Sequence, residues 1–221
     1  MNKSMVFDLD ETIGYFKQFI YILNILERYN IRDYNELLHI FDFVFRPNIF
    51  NILSYIKDEK IKKKINFIIL YTNNNNNKFV NIIINYIHSR LNYILFDKII
   101  TLNHELRTIK SKNYQDLIHC VNEIEYHKLC FIDDKRHTSM KHSNVFFIQC
   151  EKYTFNLDNI KIIKLLIYHY PQLESYSDIK NKIKKYKYTL TKLPLKFHEH
   201  NGKKLFDNIN IFIESSIIID G

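Results

Sequence analysis

Short, continuous apolar runs alternate along this chain with longer stretches in which apolar residues recur at helical spacing. The continuous runs end at polar residues, which is typical of strands buried on both faces of a parallel sheet. We predict five such strands, at 5–8, 65–71, 95–101, 128–133 and 145–149. Apolar residues three or four positions apart predict helices around them, at 15–29, 35–45, 47–56, 79–87, 114–121 and 159–168.

This alternation of strands and helices predicts an α/β fold. Repeated βαβ units build a Rossmann-like, doubly wound parallel sheet with helices on both faces. We assign residues 1–171 to this domain, and residues 13–45 to a small helical cap insertion that follows the first strand. Residues 172–221 form a basic C-terminal extension. Its Ile-rich run at 209–219 is expected to add an edge strand or to pack as an extended tail.

Polar side chains follow three of the predicted strands. They are Asp8 and Asp10 after the first strand, Thr72 after the second, and Asp133 and Asp134 at the end of the fourth. Doubly wound folds place their chemistry at the carboxyl ends of the strands. A carboxylate there can attack an electrophile, and a second carboxylate can move a proton. Taken alone, the Asp-x-Asp pattern fits a surface turn equally well.

Five consecutive asparagines, Asn73 to Asn77, separate the second strand from the next helix. We interpret them as a loop whose end caps that helix, and we assign them no catalytic role. Gly14, which follows the acidic residues, permits a tight backbone turn.

The composition is that of a globular protein. Hydrophobic residues make up 46% of the 221 residues and charged residues 25%. No apolar run approaches the ~18 residues of a transmembrane helix, and the first strand begins too early to leave room for a signal peptide. We therefore expect an intracellular, cytoplasmic protein with no membrane partner. The three cysteines match neither a disulfide framework nor a zinc site, which predicts buried, reduced thiols.

The chain is basic, with a formal net charge of +8. Many of its lysines lie at 57–64 and 180–187, and such a surface can bind nucleic acid or another acidic partner. The heavy use of Ile, Asn, Lys and Tyr suggests a bias of the source genome. A solvated lysine surface is therefore the simpler interpretation.

Taken in order, the motifs resemble those of the haloacid dehalogenase-like (HAD) phosphohydrolases over roughly residues 5–150. The finer pattern is similar to the NLI-interacting-factor-like branch, which includes the RNA polymerase C-terminal-domain phosphatases. The matching segments are Asp8-Leu9-Asp10-Glu11-Thr12, Arg46-Pro47 before an apolar helix, Tyr71-Thr72 and Phe131-Ile132-Asp133-Asp134. The last Asp replaces the Asn usual in this branch. The whole chain also resembles members of the branch from large DNA viruses, which would place it in the cytoplasm or nucleus of a host cell.

The resemblance implies a role for each matched residue. Asp8 is the nucleophile that forms an aspartyl-phosphate, and Asp10 is the general acid and then the general base. Thr72 binds the transferring phosphoryl oxygens. A lysine before the fourth strand balances their charge and pairs with Asp8. Lys112 is our choice because it stands just before a predicted helix, and Lys110 is the alternative.

The resemblance also implies a Mg²⁺ cofactor. Asp8, Asp133 and the backbone carbonyl of Asp10 would be its ligands, and Asp134 would hold its waters or the lysine. Carboxylates are the ligands that Mg²⁺ prefers. This set needs no histidine or cysteine.

We expect a Mg²⁺-dependent phosphatase that acts on a phosphoprotein, at Ser or Thr, or on another macromolecular phosphoester. An insertion as short as residues 13–45 would leave the site open to bulky substrates. A nucleic-acid-end or nucleotide phosphatase is an alternative, because the chain is basic. A non-catalytic binding protein with a decayed HAD fold is another, although the retained aspartates argue against it.

Overall fold

The computed structural model describes residues 2–187 and 194–215, and it shows the predicted α/β fold. Five parallel strands form one sheet in the order β3-β2-β1-β4-β5. They are β1 (Lys3–Phe7), β2 (Phe67–Tyr71), β3 (Lys98–Ile100), β4 (Lys128–Asp133) and β5 (Val145–Gln149). This is the Rossmann-like, doubly wound arrangement that repeated βαβ units produce.

Helices separate or follow the strands: the first six correspond to those that the apolar periodicity predicts, and the last two of the described helices were not predicted. The helices are α1 (Lys17–Leu26), α2 (Tyr34–Ile40), α3 (Ile49–Ile61), α4 (Asn77–Leu91), α5 (Tyr114–Cys120), α6 (Asn159–His169), α7 (Ser177–Lys184) and α8 (Leu195–Glu214). Several helix ends differ from the predictions by a few residues, and the start of α3 has a clear cause. Pro47 precedes α3 instead of opening it, because Asn48 takes the N-cap position with a φ of 69°.

The strand order creates the crevice in which a site can form. The chain leaves β1 toward β2 on one side and later returns to β4 on the other side, so the topological switch lies between β1 and β4. In register, Phe7 is opposite both Leu70 of β2 and Ile132 of β4. The residues that follow these positions are therefore brought to one edge of the sheet.

The two faces of the sheet are covered unequally. Val6, Ile69 and Phe131 point to a smaller cluster that packs against α5. The opposite face carries the larger core, to which every other described helix contributes. Phe19 and Phe41 of the insertion meet in this core with their rings 5.7 Å apart. Residues 13–45 are thus helical, as predicted, and they are packed against the domain.

The C-terminal segment contradicts the prediction of an edge strand or extended tail at 209–219. Residues 209–214 form the end of α8, whereas 216–219 lie outside the described residues. Four apolar side chains of α8 are buried in the main core: Leu205, Ile209, Phe212 and Ile213. Their helical spacing, together with burial, outweighs the strand propensity of the isoleucines.

Lys3 of β1 anchors the end of α8. Its ammonium donates hydrogen bonds to the carbonyls of Phe212 at 3.0 Å, Ile213 at 2.7 Å and Ser215 at 2.7 Å. These are terminal carbonyls that lack helical partners, and a cation there also complements the helix dipole. Phe212 stacks on Phe146 of β5, with ring centroids 5.8 Å apart. The last described helix is therefore joined to the first and last strands.

The positive charge of the lysine-rich segment at the end of α3 is largely balanced by nearby carboxylates. Lys60 pairs with Asp97 at 2.6 Å, and Lys62 and Lys64 pair with Glu59 at 2.7 and 2.9 Å. A run of positive charge in the sequence is thus a set of ion pairs in the fold.

None of the described helices has both the length and the hydrophobicity that crossing a bilayer requires. All three cysteines (Cys120, Cys130 and Cys150) are buried and free, as predicted.

Candidate active site

The acidic loop, residues 8–14, follows β1 and carries the first two candidate residues. Asp8 is buried, and Glu11 turns the chain with a φ of 67°. Gly14 closes the loop, and its importance is close approach, not positive φ. A Cβ there would lie 2.6 Å from the carbonyl oxygen of Val44, so a larger residue would push the loop out of place.

Lys112 joins the ends of two strands. Its ammonium contacts the Oδ1 of Asp8 and lies 2.6 Å from the Oδ2 of Asp133. All three side chains are buried. Lys112 immediately precedes Asn113, the N-cap of α5, which fixes the direction from which it enters the crevice. Lys110 is exposed, so the geometry favours Lys112 for the predicted lysine role.

The buried ion cluster shifts the pKa values of its two carboxyl groups in opposite directions. Burial raises the pKa of Asp8 to about 6, although the charge of Lys112 opposes this rise. Burial would also raise the pKa of Asp133, but hydrogen bonds from His137 and Lys112 outweigh it and lower that pKa. Asp133 is thus the more firmly ionised partner.

Thr72 ends β2 beside this cluster, and the asparagine run continues from it. Asn76 accepts a hydrogen bond from the N–H of Phe79, which confirms the predicted helix cap. Asn74 does more than the sequence interpretation allowed. Its Nδ2 donates to the Oδ2 of Asp10 at 2.9 Å, and its N–H donates to the Oγ1 of Thr72 at 3.1 Å. Asn74 therefore lies in the candidate site, and the interpretation that the run has no catalytic role stays a prediction.

Asp10 points toward this asparagine. Burial raises the pKa of Asp10, and the hydrogen bond from Asn74 acts in the opposite direction. A carboxyl group with a raised pKa keeps its proton closer to neutral pH, which suits a general acid.

Arg107 holds the loop that carries Thr72. Its Nη1 donates to the carbonyl of Thr72 at 3.2 Å and to the Oδ1 of Asn73 at 3.1 Å. Its Nε lies 3.2 Å from the buried carboxylate of Asp116, which also accepts from the hydroxyl of Tyr71 at 2.7 Å. Sequence reasoning missed this support, since no motif links Arg107 with Asp116.

Three carboxylates could hold a metal ion. One oxygen from each of Asp8, Asp133 and Asp134 lies within 4.8 Å of the others. The Oδ1 of Asp134 is buried and has no hydrogen-bond partner, an arrangement that is costly unless a cation or a water meets it. This all-oxygen set fits Mg²⁺. The carboxylate of Asp10 lies outside the set, and the predicted contribution of Asp10 through its backbone carbonyl stays a prediction.

A second buried cation supports the inner side of the acidic loop. Arg46 donates to the carbonyls of Thr12 at 2.6 Å, Glu11 at 2.8 Å and Glu151 at 2.6 Å. The Oγ1 of Thr12 in turn accepts from the N–H of Asp134 at 3.0 Å. Arg46 is therefore a brace for the loop and contacts none of the four aspartates by hydrogen bond or ion pair in the part of the chain that the structure describes.

The candidate site contains one cavity of about 190 Å³. Its walls are formed by Asp8, Asp10, Thr72, Asn73, Asn74, Lys112, Asp133, Lys135 and His137. The structure thus brings every predicted catalytic residue to one cavity. Asp134 is not part of its lining, although one of its carboxylate oxygens lies within 4.8 Å of oxygens of Asp8 and Asp133. The insertion 13–45 supplies none of the walls. Lys135 and His137 were not foreseen, although both follow the Asp133-Asp134 strand end closely.

Comparisons with protein-family models, with curated proteins and with solved structures find no match to this chain.

Proposed function

We propose that this protein is a Mg²⁺-dependent phosphatase of the HAD type that works through an aspartyl-phosphate. The position of Lys112 carries the proposal. Its ammonium contacts two buried carboxylates, Asp8 and Asp133, at the carboxyl ends of adjacent strands. Asp10 and Asp134 add further carboxyl groups. The acidic groups outnumber the one buried lysine, which favours the binding of a divalent cation together with a phosphate.

In the first step, a carboxylate oxygen of Asp8 attacks the phosphorus of the substrate. The bond between phosphorus and the leaving oxygen breaks, and Asp10 donates its proton to that oxygen. The alcohol leaves, and the phosphoryl group remains bonded to Asp8. The raised pKa of Asp10 supports its role as the proton donor.

In the second step, water attacks the phosphorus of the aspartyl-phosphate. Asp10, now ionised, accepts a proton from this water. The bond between phosphorus and Asp8 breaks, and inorganic phosphate is released with both aspartates restored.

The main obstacle is charge repulsion between Asp8 and the phosphate. Two unit charges ~4 Å apart interact by about 4 kcal/mol at an effective dielectric constant of 20. Lys112 offsets part of this repulsion, and Thr72 can donate its hydroxyl proton to a phosphoryl oxygen. Mg²⁺, held by Asp8, Asp133 and Asp134, would neutralise phosphoryl charge when bound.

We propose a phosphorylated protein as the substrate, at a Ser or Thr side chain. The cavity is small, and residues 13–45 do not cover it, so a phosphate on a large molecule can enter. Placement in a reducing compartment, the cytoplasm or the interior of an infected host cell, fits the three free thiols.

Hydrolysis of an aryl phosphate and of phosphoserine peptides, with and without Mg²⁺, tests the proposal. Wild type should release phosphate only with Mg²⁺, and Asp8→Asn should abolish release without lowering Tm. Inactivity of the wild type on all of these substrates with Mg²⁺ would contradict it. A non-catalytic binding protein would in addition show no rise of Tm with Mg²⁺.

A further inference from the structure

A second cavity, which we call the side groove, adjoins the candidate active site. It holds about 150 Å³ and lies on the face of the sheet that α5 covers only in part. Its lining is apolar at the centre and basic at the rim, and consists of Arg136, His137, Thr138, Met140, Lys141, His142, Val145 and Phe147.

His137 lines both cavities and so marks where they meet. Its Nε2 lies 3.1 Å from the Oδ2 of Asp133, and its ring meets that of Phe131 edge-on, with centroids 5.8 Å apart. A group attached to a phosphate beside Asp8 can therefore extend past His137 into the side groove.

The rim of the side groove carries positive charge that no carboxylate of the described residues balances by an ion pair. The chain has no Asp or Glu between residues 135 and 150. Arg136 and Lys141 form no ion pair with any described carboxylate, in contrast to the paired lysines at the end of α3. Unpaired cations around an apolar centre are complementary to an acidic ligand with an apolar side chain.

Strand β5 has an outward main-chain edge beside the side groove, on which the N–H of Val145 bonds to the carbonyl of His142 and Phe147 has no partner among the described residues. The carbonyl of Asn144 accepts from Leu129, and the N–H of Cys150 donates to Asp133, so even-numbered residues of β5 face β4. The main chain of Phe147 therefore faces outward, where no described residue bonds to it. An extended peptide can pair with such an edge and place alternate side chains in an adjoining pocket. A nucleic acid has no equivalent of these main-chain groups.

We infer that the side groove docks the substrate: an extended, acidic segment of a phosphorylated protein, with an apolar side chain over Val145 and Phe147 and acidic side chains against Arg136 and Lys141. This inference rests on the proposed phosphatase function and names the class of substrate for the same site.

Two phosphoserine peptides of equal length test the inference. One has an apolar residue and several Glu residues beside the phosphoserine, and the other replaces each Glu by Gln. Wild type should show a kcat/KM about tenfold higher for the acidic peptide, mainly through KM, with less preference at high salt. Arg136→Ala/Lys141→Ala should reduce this ratio to near one.

The control variant is Lys161→Ala/Lys164→Ala, which removes two exposed charges from α6, on the other side of the sheet. It should keep the preference of wild type. Binding of the labelled acidic peptide to Asp8→Asn, with and without the two rim substitutions, supplies a readout that does not need turnover.

Three outcomes would overturn the inference. The first is a preference that survives Arg136→Ala/Lys141→Ala. The second is faster release of phosphate from a 5′-phosphorylated oligonucleotide than from the acidic peptide, with this difference lost in Arg136→Ala/Lys141→Ala. The third is a wild type that hydrolyses an aryl phosphate but shows equal kcat/KM for the two peptides. That result would leave the phosphatase proposal intact. Only inactivity on every substrate would overturn both proposals.

Discussion

On one side the acidic loop meets Lys112, and on the other it meets Arg46. Both cations are almost fully buried, with exposed fractions of 3% and 2%. Lys112 contacts carboxylates inside a cavity that opens to solvent. Arg46 donates chiefly to main-chain carbonyls of the loop and of Glu151. Two equally buried cations therefore have different roles: Lys112 balances the charge of the cavity's carboxylates, and Arg46 fixes the shape of the loop.

Substitutions on the two sides of the acidic loop should have different effects. Substitutions on the cavity side should reduce activity far more than stability, because Mg²⁺, substrate and water can replace the contacts that the substituted side chain made. Substitutions on the inner side should reduce stability first, because two of the carbonyls that Arg46 satisfies belong to the buried residues Glu11 and Thr12.

Asp8→Asn should have the largest effect, a loss of about 10⁴-fold or more in kcat, because the amide cannot act as the nucleophile. Phosphate release with saturating Mg²⁺ measures it. Residual activity within tenfold of wild type would show that Asp8 is not the nucleophile.

The same variant should change the pH dependence of stability. The pKa of Asp8 is raised from about 3.8 to about 6 in the folded protein, so ionisation of Asp8 favours the unfolded chain. In metal-free wild type this group's contribution to stability is lost as pH rises from about 4 to 6. Asp8→Asn should lack that loss, and its Tm relative to wild type should rise over this interval. A constant difference in Tm would contradict the shift.

Lys112→Met should lower kcat by about 10²- to 10³-fold, because it removes the cation that faces the transferring phosphoryl group. It should also raise the pKa of Asp8 further, since Lys112 lowers that pKa in wild type. Lys110→Met, at an exposed position, is the matched control and should behave as wild type. The reverse result for the two lysines would reassign the role.

Arg46→Met should mainly destabilise the protein, by about 3 kcal/mol, because three carbonyls of the inner side lose their donor. Chemical denaturation in the presence of Mg²⁺ measures the change. The kcat of the protein that remains folded should fall less than in Lys112→Met. Normal stability with a collapsed kcat would mean that Arg46 acts on the cavity side.

Asn74→Ala should have the smallest effect, about tenfold in kcat, because Asn74 orients Asp10 without touching the phosphate. The hydrogen bond from Asn74 lowers the pKa of Asp10, so its removal raises that pKa. A general acid loses its proton as pH rises, and the alkaline limb of the kcat profile should therefore move to higher pH. Asn75→Ala, at an exposed neighbour, should leave the profile in place.

Much of the fold was predictable because strands buried on both faces are continuous apolar runs. β4 and β5 have the predicted bounds, and β1 and β2 differ by one or two residues at their ends. α8 was not predictable in the same way. Its isoleucines favour strand locally, and contacts with β5 and Lys3, which are remote in sequence, decide in favour of a helix.

The residues of the candidate site likewise include some that the sequence predicts and some that it does not. Asp8, Asp10, Thr72 and Asp133 were recognisable because each follows an apolar strand. Several supporting residues carry no local signal, since what they do depends on partners far along the chain: Asn74, Arg107, Asp116 and His137.

By itself, the sequence determined the number of strands and their succession along the chain, the acidic loop and the polar residues at the strand ends. These depend on local periodicity and on the general edge rule for parallel sheets. Only the tertiary structure placed Lys112, and not Lys110, between Asp8 and Asp133, and placed Arg46 behind the loop. It also paired three lysines at 60–64 with carboxylates and left Arg136 and Lys141 without an ion pair among the described residues. Each of these depends on distances between residues that are far apart in sequence, and no local pattern specifies such distances.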